Sequence, residues 1–138
     1  MADFVQAIGL LVRRARAAAS THGLSWTESA VMARLAKGGP ATTADLARGE
    51  SVKPQSMRAT VAALEERKLV SRKPHPTDGR QVFIELTSAG HALYKSAKDA
   101  KRTWVVQAIA QLDEADRETL FAAGEILQRL IENSPHES

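Results

Sequence analysis

Residues 64–90 read LEERKLVSRKPHPTDGRQVFIELTSAG, and this stretch decides the fold. Its period changes from helical to strand-like, because residues 69–73 and 82–86 alternate in the manner of two β-strands. Residues 74–79 between them are dense in the residue types that form turns. The stretch therefore predicts a β-hairpin with a long tip that follows directly on a helix.

Helical periodicity extends from this hairpin towards both ends of the chain. Before it, apolar residues recur at helical spacing over residues 3–20 and 25–36. Ser25 caps the second of these helices, Thr42 caps a short third one, and Pro54 suits the first turn of a fourth. After it, Thr87 caps a long fifth helix and Asp113 caps a sixth. Two short helices followed at once by a hairpin are typical of a helix-turn-helix with a wing. The predicted fold class is mainly α with a small β-hairpin wing (α+β), in the order α-α-α-α-β-β-α-α, a winged helix-turn-helix core with flanking helices.

Composition indicates a globular protein and excludes several kinds of site. The 138 residues include 43% apolar and 25% charged side chains and no cysteine, which excludes disulfides, thiolate metal sites and a cysteine nucleophile. The four histidines lack metal-ligand spacing, and His75 at the hairpin tip is expected to face solvent or phosphate. No phosphate-binding loop, metalloprotease motif or nucleophile elbow is present. We therefore expect a cytoplasmic, single-domain protein that has no metal or cofactor and is not an enzyme.

The charge is unevenly distributed along the chain. The overall charge of +3 combines +8 over residues 1–112 with −5 over residues 113–138, and residues 53–82 alone carry +4. A local basic excess indicates a polyanionic partner for that region. A solvated surface of mixed sign explains the charge count equally well, so charge alone does not choose between the two.

The fourth predicted helix has one face suited to the major groove of DNA. With Met57, Val61 and Leu64 turned to the core, the opposite face carries small residues that permit close approach and side chains that can bind base edges bidentately. For the alanines alone, helix propensity on a plain surface is the better explanation, and the adjacent hairpin is what favours DNA. The candidate DNA-binding residues of this helix, including bordering residues suited to phosphate, are Lys53, Gln55, Ser56, Arg58, Ala59 and Thr60.

The opening stretch resembles the MarR-type winged helix-turn-helix regulators. The specific part of the resemblance is the hairpin tip DGR at residues 78–80 followed by LTSAG at residues 86–90. The helical order and length match that family over residues 4–131. The chain departs from the family in two places, since Gly79 stands where some members have a bulky charged residue and Lys68 stands where a turn glycine is common.

The resemblance implies a way of reading DNA. In the family the fourth helix enters the major groove and the wing arginine enters the minor groove, where a narrow groove concentrates negative potential. Carried over to this chain, Arg80 is the minor-groove residue, with an ordinary exposed turn arginine as the alternative. Asp78 supports the wing by pairing with Arg80 or Arg48, and it also fits turn chemistry, because Asp-Gly is a common turn pair. Arg72 and Lys73 on the first strand are assigned to the DNA backbone rather than to bases, with solvated strand charges as the alternative.

The terminal helices indicate a homodimer, and in the family the first, fifth and sixth helices form it. Their apolar stripes are too extensive for a lone winged domain of this size, with packing inside the monomer as the alternative. The predicted organisation is one domain over residues 1–138, with the winged region at 24–90, dimerisation helices at 1–23 and 91–132, and a loose tail at 133–138. Such a dimer would read a pseudo-palindromic operator in double-stranded DNA.

The effector and the class of partner each have an alternative that the sequence leaves open. The resemblance implies that a small aromatic or anionic effector releases the DNA, and the candidate pocket residues are Arg13, Trp26 and Trp104. Plain core is the favoured alternative for both tryptophans, and a solvated charge or an interhelical ion pair is the favoured alternative for the arginine. A winged-helix module that binds a protein instead of DNA is the rival function. DNA binding would weaken steeply with salt, whereas protein binding would tolerate salt.

Overall fold

The computed structural model describes residues 2–19 and 23–134. These residues form helices and three short strands, so the fold class predicted from the sequence is confirmed. In chain order the elements are α1 (Ala2–Ala19), α2 (Trp26–Gly38), β1 (Ala41–Thr42), α3 (Thr43–Gly49), α4 (Pro54–Glu66), β2 (Val70–Pro74), β3 (Val82–Leu86), α5 (Ser88–Ala110) and α6 (Glu114–Asn133).

The chain divides into two compact units, residues 1–101 and 102–138, and the division falls within α5. The first unit contains α1 to α4, the sheet and the first part of α5. The second unit contains the rest of α5 and α6. Of the predicted loose tail at 133–138, residues 135–138 lie outside the described part of the chain.

Four helices of the described chain begin at a capping side chain that the sequence indicates. The hydroxyl of Ser25 accepts a hydrogen bond from the backbone N–H of Glu28 at 3.1 Å, and the Glu28 carboxylate accepts one from the backbone N–H of Ser25 at 2.9 Å. This reciprocal pair satisfies two N–H groups that have no partner inside the helix. Thr42 caps α3, Thr87 caps α5 and Asp113 caps α6 in the same manner, each accepting from an N–H three residues on.

The sheet has one strand more than the sequence indicates. β1 pairs antiparallel with β3, with Ala41 opposite Ile84, so the sheet order is β1-β3-β2 rather than a bare hairpin. A strand of two residues is too short to show an alternating pattern, which is why periodicity does not predict it. The strand β2 also begins one residue later than predicted, because the N–H of Leu69 bonds to the carbonyl of Leu64 at 3.0 Å and closes α4 instead.

The core lies in the first unit, between the helices α2 to α4 and the sheet. The predicted stripe of Met57, Val61 and Leu64 on α4 is fully buried. It packs within one cluster whose other buried members come from α2, α3, the sheet and the residue before β2: Val31, Met32, Leu35, Leu46, Ala47, Leu69, Val70, Ile84 and Leu86. The opposite face of α4 is thereby turned to solvent.

The joint between α4, β2 and α5 is tightly built. Lys68 has a left-handed backbone with φ of 61°, at the position where the family commonly has glycine. The Thr87 hydroxyl donates to the Lys68 carbonyl at 2.7 Å, and the Thr87 N–H donates to the Leu69 carbonyl at 3.0 Å. Gly90 lies so close to that carbonyl that a Cβ there would be 2.1 Å from the Leu69 oxygen. These contacts place the first turn of α5 directly against the start of β2.

The apolar stripes of the terminal helices are exposed in the single chain. On α1, 57% of Phe4 and 52% of Leu11 are exposed, and on α6, 59% of Leu130 and 68% of Ile131 are exposed. Single exposed apolar side chains are common on protein surfaces, but several of them along one helix indicate an interaction surface.

Candidate nucleic-acid interface

The turn between α3 and α4 is held from α2. The Nε of Arg34 donates to the Glu50 carboxylate at 2.6 Å, and the same guanidinium donates to the Gly49 carbonyl. Ser51 adopts a left-handed backbone with φ of 53°, and the N–H of Val52 bonds to the Ala47 carbonyl at 3.0 Å. Sequence reasoning missed Arg34, because its partner lies sixteen residues away and only the packing of α2 on α3 brings the two together.

The predicted reading face of α4 is turned to solvent. Five of the six candidate residues are exposed, and Thr60 is half-buried with its hydroxyl donating to the Ser56 carbonyl at 3.1 Å. Within the described residues, no ion pair engages Lys53 or Arg58. The first turn of α4 contains no acidic residue, so the positive end of the helix dipole is not offset there. The exposed candidates are Lys53, Gln55, Ser56, Arg58 and Ala59.

The wing is the hairpin of β2 and β3 with its connecting turn, residues 70–86. Arg80 is exposed in the turn. The Asp78 carboxylate accepts a hydrogen bond from the backbone N–H of Arg80 at 3.0 Å, rather than from a guanidinium. Arg48, the other arginine expected to pair with Asp78, contacts Asp45 instead. Asp78 therefore acts on the backbone of the turn and leaves the Arg80 guanidinium without a carboxylate among the described residues.

The two strand cations of the wing are paired with carboxylates. The Nε of Arg72 lies 2.9 Å from the Glu65 carboxylate of α4, and the Nζ of Lys73 lies 3.2 Å from the Glu85 carboxylate of β3. All four side chains are partly exposed, so these pairs are screened and weak. The pairs still reduce the positive charge that the strand offers to a polyanion, whereas Arg58 of α4 and Arg80 of the wing turn make no ion pair with the described residues.

The His75 ring was expected to face solvent or phosphate, but in the structure it packs against the wing. It is half-buried, with its ring centroid 4.6 Å from that of Phe83. Its Nδ1 accepts hydrogen bonds from the backbone N–H groups of Thr77 at 3.2 Å and Asp78 at 3.1 Å. The signal for this role is weak in the sequence, because asparagine and aspartate are the residues that usually accept such bonds in turns.

A cavity of about 670 Å³ lies within the first unit, lined from α1, α2, Glu50 and α5. Of the candidate effector residues, Arg13 and Trp26 line it and Trp104 does not. Trp26 is 61% exposed, so the favoured expectation of plain core is wrong for this residue, and the Arg16 guanidinium stacks over its ring at 3.2 Å from the centroid. Among the described residues, the lining contains one carboxylate, that of Glu50, and five cations: Arg13, Arg16, Lys37, Lys98 and Lys101.

One carboxyl of the helix-turn-helix has a shifted pKa. The hydrogen bond from the Thr42 side chain holds the pKa of Asp45 below its ordinary value of 3.8, and the nearby charge of Arg48 acts in the same direction. Since Thr42 also caps α3 through the Asp45 N–H, the two residues satisfy each other's polar groups at the start of that helix.

The described part of the chain has neither a metal-binding cluster nor a membrane-spanning helix. Across residues 2–19 and 23–134, no group of histidine, aspartate or glutamate side chains is arranged to hold a metal ion. The helices described there are also too short or too polar to cross a membrane.

Comparisons with known proteins agree on one family. A model described as MarR family matches residues 22–81. The HTH-type transcriptional regulator ML2140 of Mycobacterium leprae is 33% identical over 133 residues, which cover 96% of this chain and 93% of that protein. The HTH-type transcriptional repressor Rv2887 of Mycobacterium tuberculosis is 32% identical over 106 residues, or 76% of each chain.

The fold is also found among solved structures. A variant of MepR from Staphylococcus aureus, bound to an oligodeoxyribonucleotide, matches with a TM-score of 0.75 and 19% identity, over 92% of this chain and 94% of that one. At this identity the likeness concerns the fold alone.

Proposed function

The chain belongs to the MarR family, and from that premise we propose that it is a dimeric, sequence-specific DNA-binding regulator that represses transcription in the cytoplasm. The observation that carries this proposal is the exposed face of α4, where Gln55 and Arg58 have no protein partner among the described residues. Both side chains can bind the edges of purines bidentately in the major groove. The names of the relatives, a regulator and a repressor, support the same conclusion.

The second contact in this proposal is the wing. Arg80 is exposed at its tip without a carboxylate partner among the described residues, and Asp78 holds the backbone beside it. A cation on a slim hairpin suits the narrow minor groove, because its negative potential attracts positive charge without reading individual bases. Arg72 and Lys73 would contact phosphates, and DNA would then compete with Glu65 and Glu85 for them.

The dimer is supported by the exposed apolar stripes of α1 and α6. A two-fold dimer that covers these stripes would place two copies of α4 about one DNA turn apart, roughly 34–36 Å. The winged region at 24–90 would then bind a pseudo-palindromic operator, while the helices at 1–23 and 91–132 hold the two copies together. Sedimentation equilibrium tests this, since a monomer at micromolar concentration would contradict it.

A small aromatic anion is the effector that the cavity fits best. Five cations and the exposed ring of Trp26 line a space of about 670 Å³, a size typical of ligand pockets. Glu50 gives this cavity a connection to the reading head, because Glu50 pairs with Arg34, which also binds the Gly49 carbonyl at the end of α3. Benzoate should therefore quench the fluorescence of Trp26 and weaken DNA binding, whereas neutral benzyl alcohol should do neither.

The decisive experiment measures fluorescence anisotropy on the intergenic DNA upstream of the protein's own gene, beside a scrambled duplex, at two salt concentrations. We expect tight binding that prefers the native duplex and falls steeply with salt, because phosphate contacts release counterions. Arg80→Ala should weaken this binding and leave the dimer intact. Arg102→Ala removes an equal charge from α5, outside the proposed interface, and serves as the control.

Two results would count against this function. Weak, salt-tolerant binding without preference for the native duplex would favour the rival function, a winged-helix module that binds a protein. Unchanged affinity in Arg80→Ala would remove the wing from the mechanism while leaving the contact through α4 in place.

A further inference from the structure

We propose that His75 is the residue that positions the wing tip for DNA, and that it does so only while its imidazole is neutral. This inference rests on the proposed function, because it concerns how Arg80 is presented. It adds a positioning residue to the wing and makes the DNA affinity of this chain dependent on pH.

The turn of the wing is organised around the His75 side chain. The backbone N–H of His75 donates to the Gln81 carbonyl at 3.3 Å and closes the base of the turn. The Nδ1 of the same residue accepts from the N–H groups of Thr77 and Asp78, at 3.2 and 3.1 Å. Pro76 has no N–H to offer, so the ring captures the first two backbone donors that follow it. The imidazole thus takes the place that an asparagine side chain usually has in such a turn.

Asp78 extends this arrangement to Arg80. Its backbone N–H is held by His75, while its carboxylate accepts the N–H of Arg80 at 3.0 Å and its carbonyl accepts the N–H of Gln81 at 3.1 Å. Two consecutive hydrogen bonds, from Asp78 to His75 and from Arg80 to Asp78, therefore connect the end of β2 to the residue proposed for the minor groove. If the Nδ1 acceptor of His75 is lost, the N–H groups of Thr77 and Asp78 lose the protein acceptor that they share. The turn then loses the restraint that these two hydrogen bonds provide.

The ring of His75 is itself fixed by the sheet. Its centroid lies 4.6 Å from that of Phe83, with 42° between the ring planes. Phe83 is opposite Lys73 in the register, so His75, two residues after Lys73, lies on the same face of the hairpin. The charged groups on this face are Lys73 and Glu85, which pair with each other, and those in the turn are Asp78 and Arg80.

Protonation would remove the acceptor on which the turn depends. A neutral imidazole has one nitrogen that accepts hydrogen bonds, and an imidazolium has none, since both of its nitrogens donate. Histidine is also the side chain whose charge ordinarily changes between pH 5 and 8. An N–H at Nδ1 would face the N–H groups of Thr77 and Asp78 and repel them, and the Thr77 hydroxyl, 3.4 Å from Nδ1, would be left as its acceptor.

The test compares two substitutions of His75 with a control histidine. His75→Ala removes the acceptor, whereas His75→Asn keeps an acceptor oxygen that does not titrate. His91→Ala removes an exposed histidine from α5. At pH 7.5 we expect operator affinity to fall roughly three- to tenfold in His75→Ala, the size of one or two neutral hydrogen bonds. His75→Asn should recover most of that loss, and His91→Ala should bind as the unaltered protein does.

The pH dependence separates positioning from a plain structural role. When the pH falls from 7.5 to 5.5, the DNA affinity of the unaltered protein should fall roughly three- to tenfold relative to that of His75→Asn. This fall would be opposite in sign to the direct effect of an imidazolium near phosphates, which strengthens binding. Nitrogen NMR of the free protein at neutral pH should find Nδ1 of His75 unprotonated and Nε2 protonated. This measurement needs no DNA and therefore stands apart from the proposed function.

The contrary results are read together with the Arg80→Ala variant. Wild-type affinity in His75→Ala, an affinity that does not fall in acid relative to His75→Asn, or a protonated Nδ1 at neutral pH would overturn the inference. If Arg80→Ala binds normally while Nδ1 is unprotonated, the wing has failed as a DNA contact and the proposed function is at fault.

Discussion

Gly90→Ala tests whether the first turn of α5 is locked against β2. The added Cβ would lie 2.1 Å from the Leu69 carbonyl oxygen and 3.1 Å from a methyl group of Leu86. Close carbon–oxygen contacts in proteins are about 3.3 Å or longer, so the carbonyl and the helix would have to separate by roughly 1 Å. The carbonyl cannot turn aside freely, because it accepts the N–H of Thr87 at 3.0 Å and its residue is tied to Leu64 on the other side.

The expected cost follows from these contacts. Inserting a carbon into packed structure typically costs about 1–3 kcal/mol, and weakening the bond from Thr87 adds on the order of 1 kcal/mol. We therefore expect Gly90→Ala to lower the free energy of unfolding by about 2–4 kcal/mol, a large part of the stability of a domain of this size. The thermal midpoint should fall by roughly 10 °C.

Gly38→Ala is the matched control for this prediction. Gly38 is also in a helix, the last residue of α2, but a Cβ there would meet nothing within 4 Å. Alanine in a helix without such a clash is favoured over glycine by up to about 1 kcal/mol, so this variant should be as stable as the unaltered protein or more so. Urea unfolding at one fixed protein concentration measures both, since the stability of a dimer depends on concentration. Two variants of equal stability would refute the close approach described for Gly90.

Three further substitutions test the reading face, the α4–β2 joint and the cap of α3. Arg58→Ala should lose about 1–3 kcal/mol of binding free energy on the native duplex and relax base preference there, and an equal loss on scrambled DNA would make Arg58 a phosphate contact. Lys68→Gly should raise the free energy of unfolding by up to about 1 kcal/mol, because it removes the cost of a side chain at a φ of 61°, and urea unfolding without a gain would contradict that. Asp45→Asn should destabilise the protein slightly at neutral pH. Since folding lowers the pKa of Asp45, its contribution is present above the ordinary value of 3.8 and is lost as the pH falls through the lower folded value, so a stability difference that persists unchanged in strong acid would refute the assignment.

Much of the fold was predictable because its signals are local. Helical and alternating periods predict the helices and the hairpin, since each depends on neighbours a few residues away. The caps at Ser25, Thr42 and Asp113 were predictable for the same reason, because each cap bonds an N–H only three residues on. The outward face of α4 follows from placing Met57 inward.

The candidate site was predictable only in part. The sequence assigned Arg72, Lys73 and Arg80 to one basic wing, but the structure pairs the first two with Glu65 and Glu85. The partner of Arg72 lies on a helix, so the pair depends on how α4 packs against β2. Asp78 was expected to pair with an arginine side chain, yet it bonds the backbone of Arg80.

By itself, the sequence determined the order of the helices and the hairpin, the family and the face of α4 that is turned to solvent. Only the tertiary structure showed that β1 joins the sheet and that Arg34 holds the turn before α4. It also showed that the Leu69 carbonyl packs directly against Gly90 and that His75 accepts hydrogen bonds inside the wing. The physical reason is range and direction. Periodicity records which side of an element is buried, whereas these contacts depend on the distance and angle between atoms that packing, and not spacing along the chain, brings together.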